Sequence, residues 1–150
     1  MQQAIDLSLH AISHNEGGPF GCIIVQGDTI IGRGNNKVTS TNDPTAHAEI
    51  VAIRDACKNI GSFQLEGCEV YTSCEPCPMC LGAIYWARPK VVYFANNRED
   101  AAEIGFDDSM IYEEMNTHID QRKIPIISLG RENALKVFEQ WGRNPNKSKY

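Results

Sequence analysis

The chain has 150 residues and a formal net charge of −5, and 42% of its residues are hydrophobic. This size suits one domain, so we expect residues 1–150 to fold as a single unit around one core. No apolar run approaches the ~18–20 residues that cross a bilayer, and we expect no contact with a membrane. The acidic balance disfavours a nucleic-acid partner, because nucleic acids bind basic protein surfaces.

Six cysteines are present, enough for a disulfide framework. The first residues, however, lack the basic and then apolar pattern of an export signal. We therefore expect a reduced, cytoplasmic chain in which some thiols bind a metal. Cys22, Cys57 and Cys68 lie in apolar stretches and are interpreted as core residues.

The order of apolar and turn residues predicts an α/β chain with a five-stranded mixed sheet. In chain order we expect a helix over 2–14, a hairpin over 20–34, a helix over 44–60, a strand over 68–73, a helix over 76–87, a strand over 91–95, a short helix over 108–116, a strand over 124–129 and a last helix around Leu135, Phe138 and Trp141. Because strands and helices alternate in the middle, we expect helices layered on a sheet. The strand over 91–95 is apolar throughout, which predicts a central, parallel position.

Two short motifs carry chemistry. Pro44 to Glu49 contains His-x-Glu, and Pro76 to Cys80 contains Pro-Cys-x-x-Cys. His47, Cys77 and Cys80 supply three ligands of the kind that zinc prefers, and three protein ligands leave the fourth position of a catalytic zinc to water. Cys77 and Cys80 are three residues apart at a predicted helix start, which puts both thiols on one side of its first turn.

Glu49 is two residues beyond His47, close enough to move protons without binding the metal. Each motif has a simpler interpretation when taken alone. A Cys-x-x-Cys pair is also typical of a redox site or half a zinc finger, and a lone histidine is often a satisfied helix residue. The order and spacing of all five residues together match the zinc-deaminase pattern, which favours the catalytic interpretation.

This chemistry requires a flat substrate whose ring carbon carries an amino group, and four side chains are candidates to bind such a ring. Asn36 can hydrogen-bond a ring edge, and its alternative role is to shape a turn. Phe20 can stack on a ring or pack in the core, and Trp86 can line the pocket or simply pack. Asp108 can bind an amino group, and its alternative role is a helix N-cap.

The chain resembles the cytidine-deaminase superfamily and, within it, the bacterial guanine deaminases. The segments that carry this resemblance span nearly the whole chain and are Gly17 to Gly21, Asn42 to Glu49, Ser73 to Cys80, Ile84 to Pro89 and Gly105 to Ser109. The first four occur in variant form in purine and tRNA deaminases, whereas the Gly-Phe-Asp-Asp segment and Tyr150 are closer to guanine deaminases.

The resemblance implies a three-layer α/β/α fold, zinc as cofactor, and hydrolysis of guanine to xanthine and ammonia. By motif, His47, Cys77 and Cys80 would hold zinc and Glu49 would shuttle protons. The residues expected at the base are Phe20, Asn36, Ala48, Trp86, Asp108 and Tyr150, with Asp108 assisting at the amino group. The family forms a homodimer with exchanged C-terminal segments, so Tyr150 would reach the partner's site.

Three alternatives stay open at this point. A tRNA adenosine deaminase shares the metal motifs, and related amino-purines, amino-triazines or cytosine-type bases could replace guanine. A zinc-stabilised binding module without turnover belongs to another class, but such a module does not need the acid at Glu49.

Overall fold

The predicted alternation of helices and strands recurs in the computed structural model, which describes residues 1–148. The helices are α1 (Gln2–Ser13), α2 (Val38–Thr41), α3 (Ala48–Ile60), α4 (Pro78–Ala87), α5 (Arg98–Glu103), α6 (Ser109–Asn116) and α7 (Arg131–Arg143). A short 3-10 helix spans Ile119–Gln121. The strands are β1 (Gly21–Gln26), β2 (Thr29–Asn35), β3 (Glu69–Cys74) and β4 (Val91–Asn96).

The four strands form one mixed sheet in the order β2-β1-β3-β4. β1 is antiparallel to β2 and to β3, and β3 is parallel to β4. The predicted hairpin is confirmed. Gly27 is at its turn with a φ of 59°, in the left-handed region that glycine adopts without steric strain. The parallel pair is joined through α4, which is the usual crossover between parallel strands.

Helices cover both faces of the sheet. A Cβ on Gly21 would lie 2.1 Å from the carbonyl oxygen of Ala4 in α1, so that face packs against α1. A Cβ on Gly34 would lie 2.2 Å from the carbonyl oxygen of Ala48 in α3. Gly21 pairs with Asn35, the neighbour of Gly34, and successive residues of a strand point to opposite faces. α1 and α3 therefore lie on opposite faces of the sheet.

The main core lies on the α3 face. Its fully or nearly buried members are Cys22, Ile24, Ala48, Ala52, Ala56, Leu65, Cys68, Val70 and Ala87. Three alanines one turn apart on α3 allow the helix to approach the glycines of β2 closely. The interpretation of Cys22 and Cys68 as core residues is confirmed, and all six cysteines are free thiols.

The predicted fifth strand is wrong. Residues 124–129 form no strand, and Ile127 and Leu129 are 82% and 95% exposed. Pro125 explains part of the error, because proline cannot donate a backbone hydrogen bond to a strand ladder. β4 is parallel as predicted, but it lies at an edge of the described sheet rather than at its centre.

The start of α3 also differs from the prediction. Asp43 does not cap a helix beginning at Pro44. Its Oδ1 accepts hydrogen bonds from the backbone and the hydroxyl of Thr45, at 2.8 and 2.7 Å, and forms a turn instead. The helix begins at Ala48, so His47 precedes it as the N-cap residue.

The described chain divides into two compact parts, Met1–Asp108 and the part that follows from Ser109. The first contains the sheet and α1 to α5, and the second contains α6, the 3-10 helix and α7. Among the described residues, none of the helices has the length and apolar character needed to cross a membrane.

Candidate active site

Two helix N-termini position the predicted ligands. His47 is the N-cap of α3 and Cys77 is the N-cap of α4, and both have extended backbone conformations. Cys80 follows in the first turn of α4. An N-cap side chain lies ahead of its helix, and the positive end of the helix dipole favours thiolate over thiol. Residues about 30 positions apart in sequence are thereby brought to one point.

The geometry of the three side chains fits zinc. Nδ1 of His47 lies 3.5 Å from Sγ of Cys77 and 3.5 Å from Sγ of Cys80. Tetrahedral zinc with bonds of about 2.0 Å to nitrogen and 2.3 Å to sulfur separates such ligand atoms by roughly 3.5 Å. In the described chain the three residues form one potential metal group. Cys74 does not join it, because its thiol is directed to the carbonyl oxygen of Asn97 at 3.6 Å.

Proton sharing in this cluster also indicates a cation site. Hydrogen bonds from Cys80 and then His47 lower the pKa of Cys77 to about 4. The pKa of Cys80 is raised, first because its proton is shared with Cys77 and then by burial. The hydrogen bond to Cys77 raises the pKa of His47. A divalent cation among these atoms would stabilise both cysteines as thiolates, which are the ligands that zinc binds.

Glu49 lies beside the three ligands without joining them. It is 6% exposed, in the first turn of α3, and burial raises the pKa of its carboxyl group. The hydroxyl of Thr72 donates to Oε1 at 3.1 Å, and Sγ of Cys80 lies 3.4 Å from Oε2. A carboxyl group with a raised pKa next to a metal position is suited to accept and return a proton.

Asn36 is held by two backbone donors. Its Oδ1 accepts from the backbone N–H groups of Gly18 and Val38, each at 3.2 Å, and the residue is 4% exposed. Since both acceptor positions of the oxygen are occupied, the orientation of the amide is fixed and Nδ2 is the group left for a ligand. The contact of Asn36 with a ring edge stays a prediction, and in this arrangement the side chain could offer only the donor Nδ2.

Phe20 and Asp108 belong, like the three metal ligands, to the compact part Met1–Asp108. The ring of Phe20 meets that of Phe106 in an edge-to-face contact, with centroids 4.9 Å apart. Burial, and next the negative charge of Cys77, raises the pKa of Asp108. Among the three metal ligands, Cys77 is thus the one whose charge influences Asp108.

The three other predicted base contacts have different surroundings. Ala48 is fully buried as the first residue of α3. Trp86 is 65% exposed, on a side of α4 away from the buried Cys80 and Ile84. Tyr150 lies outside the described residues. Contacts from Ala48, Trp86 and Tyr150 to a base stay predictions.

Sequence reasoning missed Thr72 and Phe106. Thr72 is in β3, four residues before Pro76 of the cysteine motif. Its contact with Glu49 depends on which face of the sheet the side chain occupies, and only the strand register reveals that face. Phe106 lies within the Gly-Phe-Asp-Asp segment that carried the resemblance, and this position was a signal that could have identified it. Its edge-to-face contact also accounts for the orientation of Phe20.

Three soft ligands with one buried acid beside them are the components of a zinc-dependent hydrolytic deaminase. Residues 1–96 match the model of the cytidine and deoxycytidylate deaminase zinc-binding region, and the chain belongs to that family.

Similar proteins include both base and tRNA deaminases. A guanine deaminase of Bacillus subtilis (strain 168) is 51% identical over 150 residues, which cover 100% of this chain and 96% of that protein. The crystal structure of guanine deaminase from Bacillus subtilis has a TM-score of 0.96 to this chain, at 51% identity, and the match covers 99% of this chain and 95% of that one.

Two further matches are more partial. A tRNA-specific adenosine deaminase of Aquifex aeolicus (strain VF5) is 46% identical over 77 residues, covering 51% of each chain. A solved structure in complex with 8-azaguanine is 33% identical with a TM-score of 0.68, and the match covers 71% of this chain and 62% of that one.

Proposed function

We propose that this protein hydrolyses guanine to xanthine and ammonia with the aid of zinc. The observation that carries the proposal is the match to a guanine deaminase, which runs over the whole chain in both sequence and fold. The presence of His47, Cys77, Cys80 and the buried Glu49 in one cluster supports it.

The three ligands would hold zinc. The bound zinc would act as a Lewis acid and lower the pKa of a bound water to about 7. Glu49 would accept the two protons of the attacking water in turn, passing the first to the ring nitrogen and the second to the departing amine. The new carbon–oxygen bond forms at the ring carbon that bears the amino group, and the carbon–nitrogen bond to ammonia breaks. The raised pKa of Glu49, caused by burial, supports this alternation between carboxylate and carboxylic acid.

The base would be positioned by Phe20, Asn36 and Asp108. Nδ2 of Asn36 would donate to an acceptor on the purine edge, since its Oδ1 is already occupied. Phe20 would stack against the ring, with Phe106 supporting it from the side. Asp108 would accept a hydrogen bond from the amino group, and Ala48, Trp86 and the partner's tail would complete the pocket.

We also propose a cytoplasmic homodimer in which C-terminal segments are exchanged, each completing the partner's 1–150 catalytic domain. Six free thiols support a reducing compartment. Exposed apolar residues at Ile127 and Leu129 support burial of this segment against a second chain.

The alternatives have less support. The Aquifex tRNA-specific adenosine deaminase is 46% identical over 51% of the chain, and that of Streptococcus pyogenes (serotype M18) is 34% identical over 87%. Both values lie below the 51% identity to guanine deaminase over the whole chain, and the net charge of −5 disfavours a tRNA surface. A binding module would leave the buried acid without a role. Other amino-purines are the second candidate, favoured by a related structure, 28% identical with a TM-score of 0.68, that is in complex with 2,6-diaminopurine.

One experiment tests the proposal against these alternatives. Purified zinc-loaded protein is mixed with guanine, adenine, 2,6-diaminopurine, cytosine, an amino-triazine or a tRNA anticodon stem-loop, and ammonia release is measured. We expect the highest kcat/KM with guanine. A preference for the stem-loop or for cytosine would reject guanine deamination, and release from none would favour the binding module.

A further inference from the structure

Thr72 lies at the centre of the sheet, beneath the acid of the site. It is a β3 residue, opposite Cys22 of β1 and Phe94 of β4. Its side chain is 1% exposed and lies on the α3 face of the sheet, as does that of Cys22. A buried hydroxyl in an apolar layer is unfavourable unless it is hydrogen-bonded. The hydrogen bond from Thr72 to Glu49 meets this requirement.

The contact gives the two oxygens of Glu49 different surroundings. Oε1 accepts from the Thr72 hydroxyl at 3.1 Å and is directed to the sheet. Oε2 is directed to the metal ligands, 3.4 Å from Sγ of Cys80. The last torsion of a glutamate is broad and roughly two-fold, so the carboxylate needs an external contact to fix its plane.

We propose that Thr72 is a positioning residue that fixes the Glu49 carboxylate and leaves Oε2 as the oxygen that exchanges protons. This inference rests on the proposed function, because it assigns a step of that reaction to one oxygen. Thr72 is not a member of the potential metal group, and its hydroxyl acts through Glu49. A misplacement of about 1 Å at a reacting group can lower a rate by about 100-fold, which is why one hydroxyl matters.

The first test measures turnover with matched variants. Thr72→Val keeps the shape of the side chain and removes the donor, whereas Thr72→Ser keeps the donor. Ser73→Ala is the control, since Ser73 is also buried but its hydroxyl accepts from the backbone of Gly21, at 2.9 Å. For guanine we expect Thr72→Val to lower kcat at least about tenfold, with KM and zinc content within twofold.

Under the same inference, Thr72→Ser recovers most of kcat and Ser73→Ala stays within about threefold of the wild type. A Thr72→Val protein with normal kcat would overturn the inference. An equal fall in Thr72→Val and Ser73→Ala would overturn it too, because the loss would then reflect general damage to β3.

The second test needs no substrate. The urea midpoint of unfolding is compared for Thr72→Val, Glu49→Ala and the double variant, all loaded with zinc. We expect Thr72→Val to lower the midpoint when Glu49 is present and to leave it unchanged or raise it when Glu49 is absent. The carboxylate loses its donor only in the first case.

The two tests separate the inference from the proposed function. Additive midpoints would show that the two side chains are independent and would overturn the role of Thr72 whatever the substrate is. Coupled midpoints in a protein that releases no ammonia from guanine would reject guanine as substrate, while the contact that holds Glu49 would stand.

Discussion

At the scale of single residues, Glu49 combines deep burial with a position next to three metal ligands. A buried carboxylate is unfavourable without partners, and burial is the main cause of its raised pKa. It receives one hydroxyl donor at Oε1, while Oε2 is directed to the cysteine of α4. A structural zinc site does not require such an acid, so Glu49 is the residue that best separates catalysis from structural metal binding.

We therefore expect Glu49→Gln to keep zinc and to lose activity. Glutamine preserves the size of the side chain and an acceptor for Thr72, but it cannot take a proton from water. Guanine turnover should fall by at least about 100-fold, as measured by ammonia release, with zinc content near one ion per chain. Turnover within a few-fold of the wild type would remove Glu49 from proton transfer.

Cys80→Ala is the complementary change. It removes one of three ligands, so we expect zinc content to fall well below one ion per chain, as measured by metal analysis, together with the local order of α4. Full zinc occupancy in this variant would contradict the assignment of the metal site.

At the scale of elements, two segments hold the amide of Asn36 from opposite sides. The Gly17-Gly18 turn supplies one backbone donor and the start of α2 supplies the other. The carbonyl oxygen of Glu16 accepts from the backbone of Ser40 at 3.1 Å, and its carboxylate accepts from Asn35 at 2.5 Å. Glu16 thereby ties the two segments together on either side of Asn36.

Gly17 is the position where this arrangement is tightest. A Cβ there would lie 2.1 Å from Oδ1 of Asn36 and 2.6 Å from its carbonyl oxygen, so Gly17→Ala must displace the amide. We expect Gly17→Ala to lower kcat/KM for guanine and to retain zinc. The loss should correspond to about 1–3 kcal/mol of transition-state stabilisation, similar to that of Asn36→Ala. Gly82→Ala is the control, since its Cβ meets nothing within 4 Å. Normal kinetics for Gly17→Ala would exclude a rigid Asn36 from base recognition.

The sequence predicted the elements that are governed by local patterns. The helices predicted over 2–14, 76–87 and 108–116 correspond closely to α1, α4 and α6, and the predicted hairpin over 20–34 corresponds to β1 and β2. The ligand set followed from motif spacing because each motif lies at one helix start. The turn at Asp43 displaced the start of α3, since a side-chain bond to Thr45 competes with helix formation.

Features that depend on distant segments could not be predicted in the same way. The contact between Thr72 and Glu49 depends on strand register, and the two donors to Asn36 are backbone groups that every residue carries. Residues 124–129 have a strand-like composition, but a strand also needs a partner edge, and composition alone does not indicate one.

At the scale of the whole molecule, the C-terminal part exposes an unusual amount of apolar surface. No residue of α6 or α7 is buried. In the segment that precedes α7, the side chains of Ile127 and Leu129 are exposed. Large exposed apolar patches are rare on monomeric proteins. These observations support the proposed exchange of C-terminal segments between two chains, which would bury that surface.

The same exchange would bring Tyr150 to the partner's base, where its ring would exclude water and close the site. We therefore expect deletion of residues 146–150 to leave folding and zinc content intact and to lower guanine turnover by about tenfold or more. Size-exclusion chromatography, metal analysis and ammonia release measure these three properties. Turnover at the rate of the full chain would show that the tail is dispensable, and the exchange of Tyr150 would be rejected.

Hybrid dimers determine whether the tail acts on its own chain or on the partner. The truncated chain keeps Glu49 but lacks the tail, whereas full-length Glu49→Gln keeps the tail but lacks the acid. If the tail acts across the dimer, mixing these two impaired proteins creates one complete site in each hybrid dimer, formed by Glu49 of the truncated chain and the tail of the other. Activity should then rise with the fraction of hybrid dimers. The control replaces the full-length partner with one that carries both the deletion and Glu49→Gln, and it should restore nothing. If the mixture shows only the residual activity of the truncated chain although hybrid dimers form, a tail that closes its own chain's site is the better account.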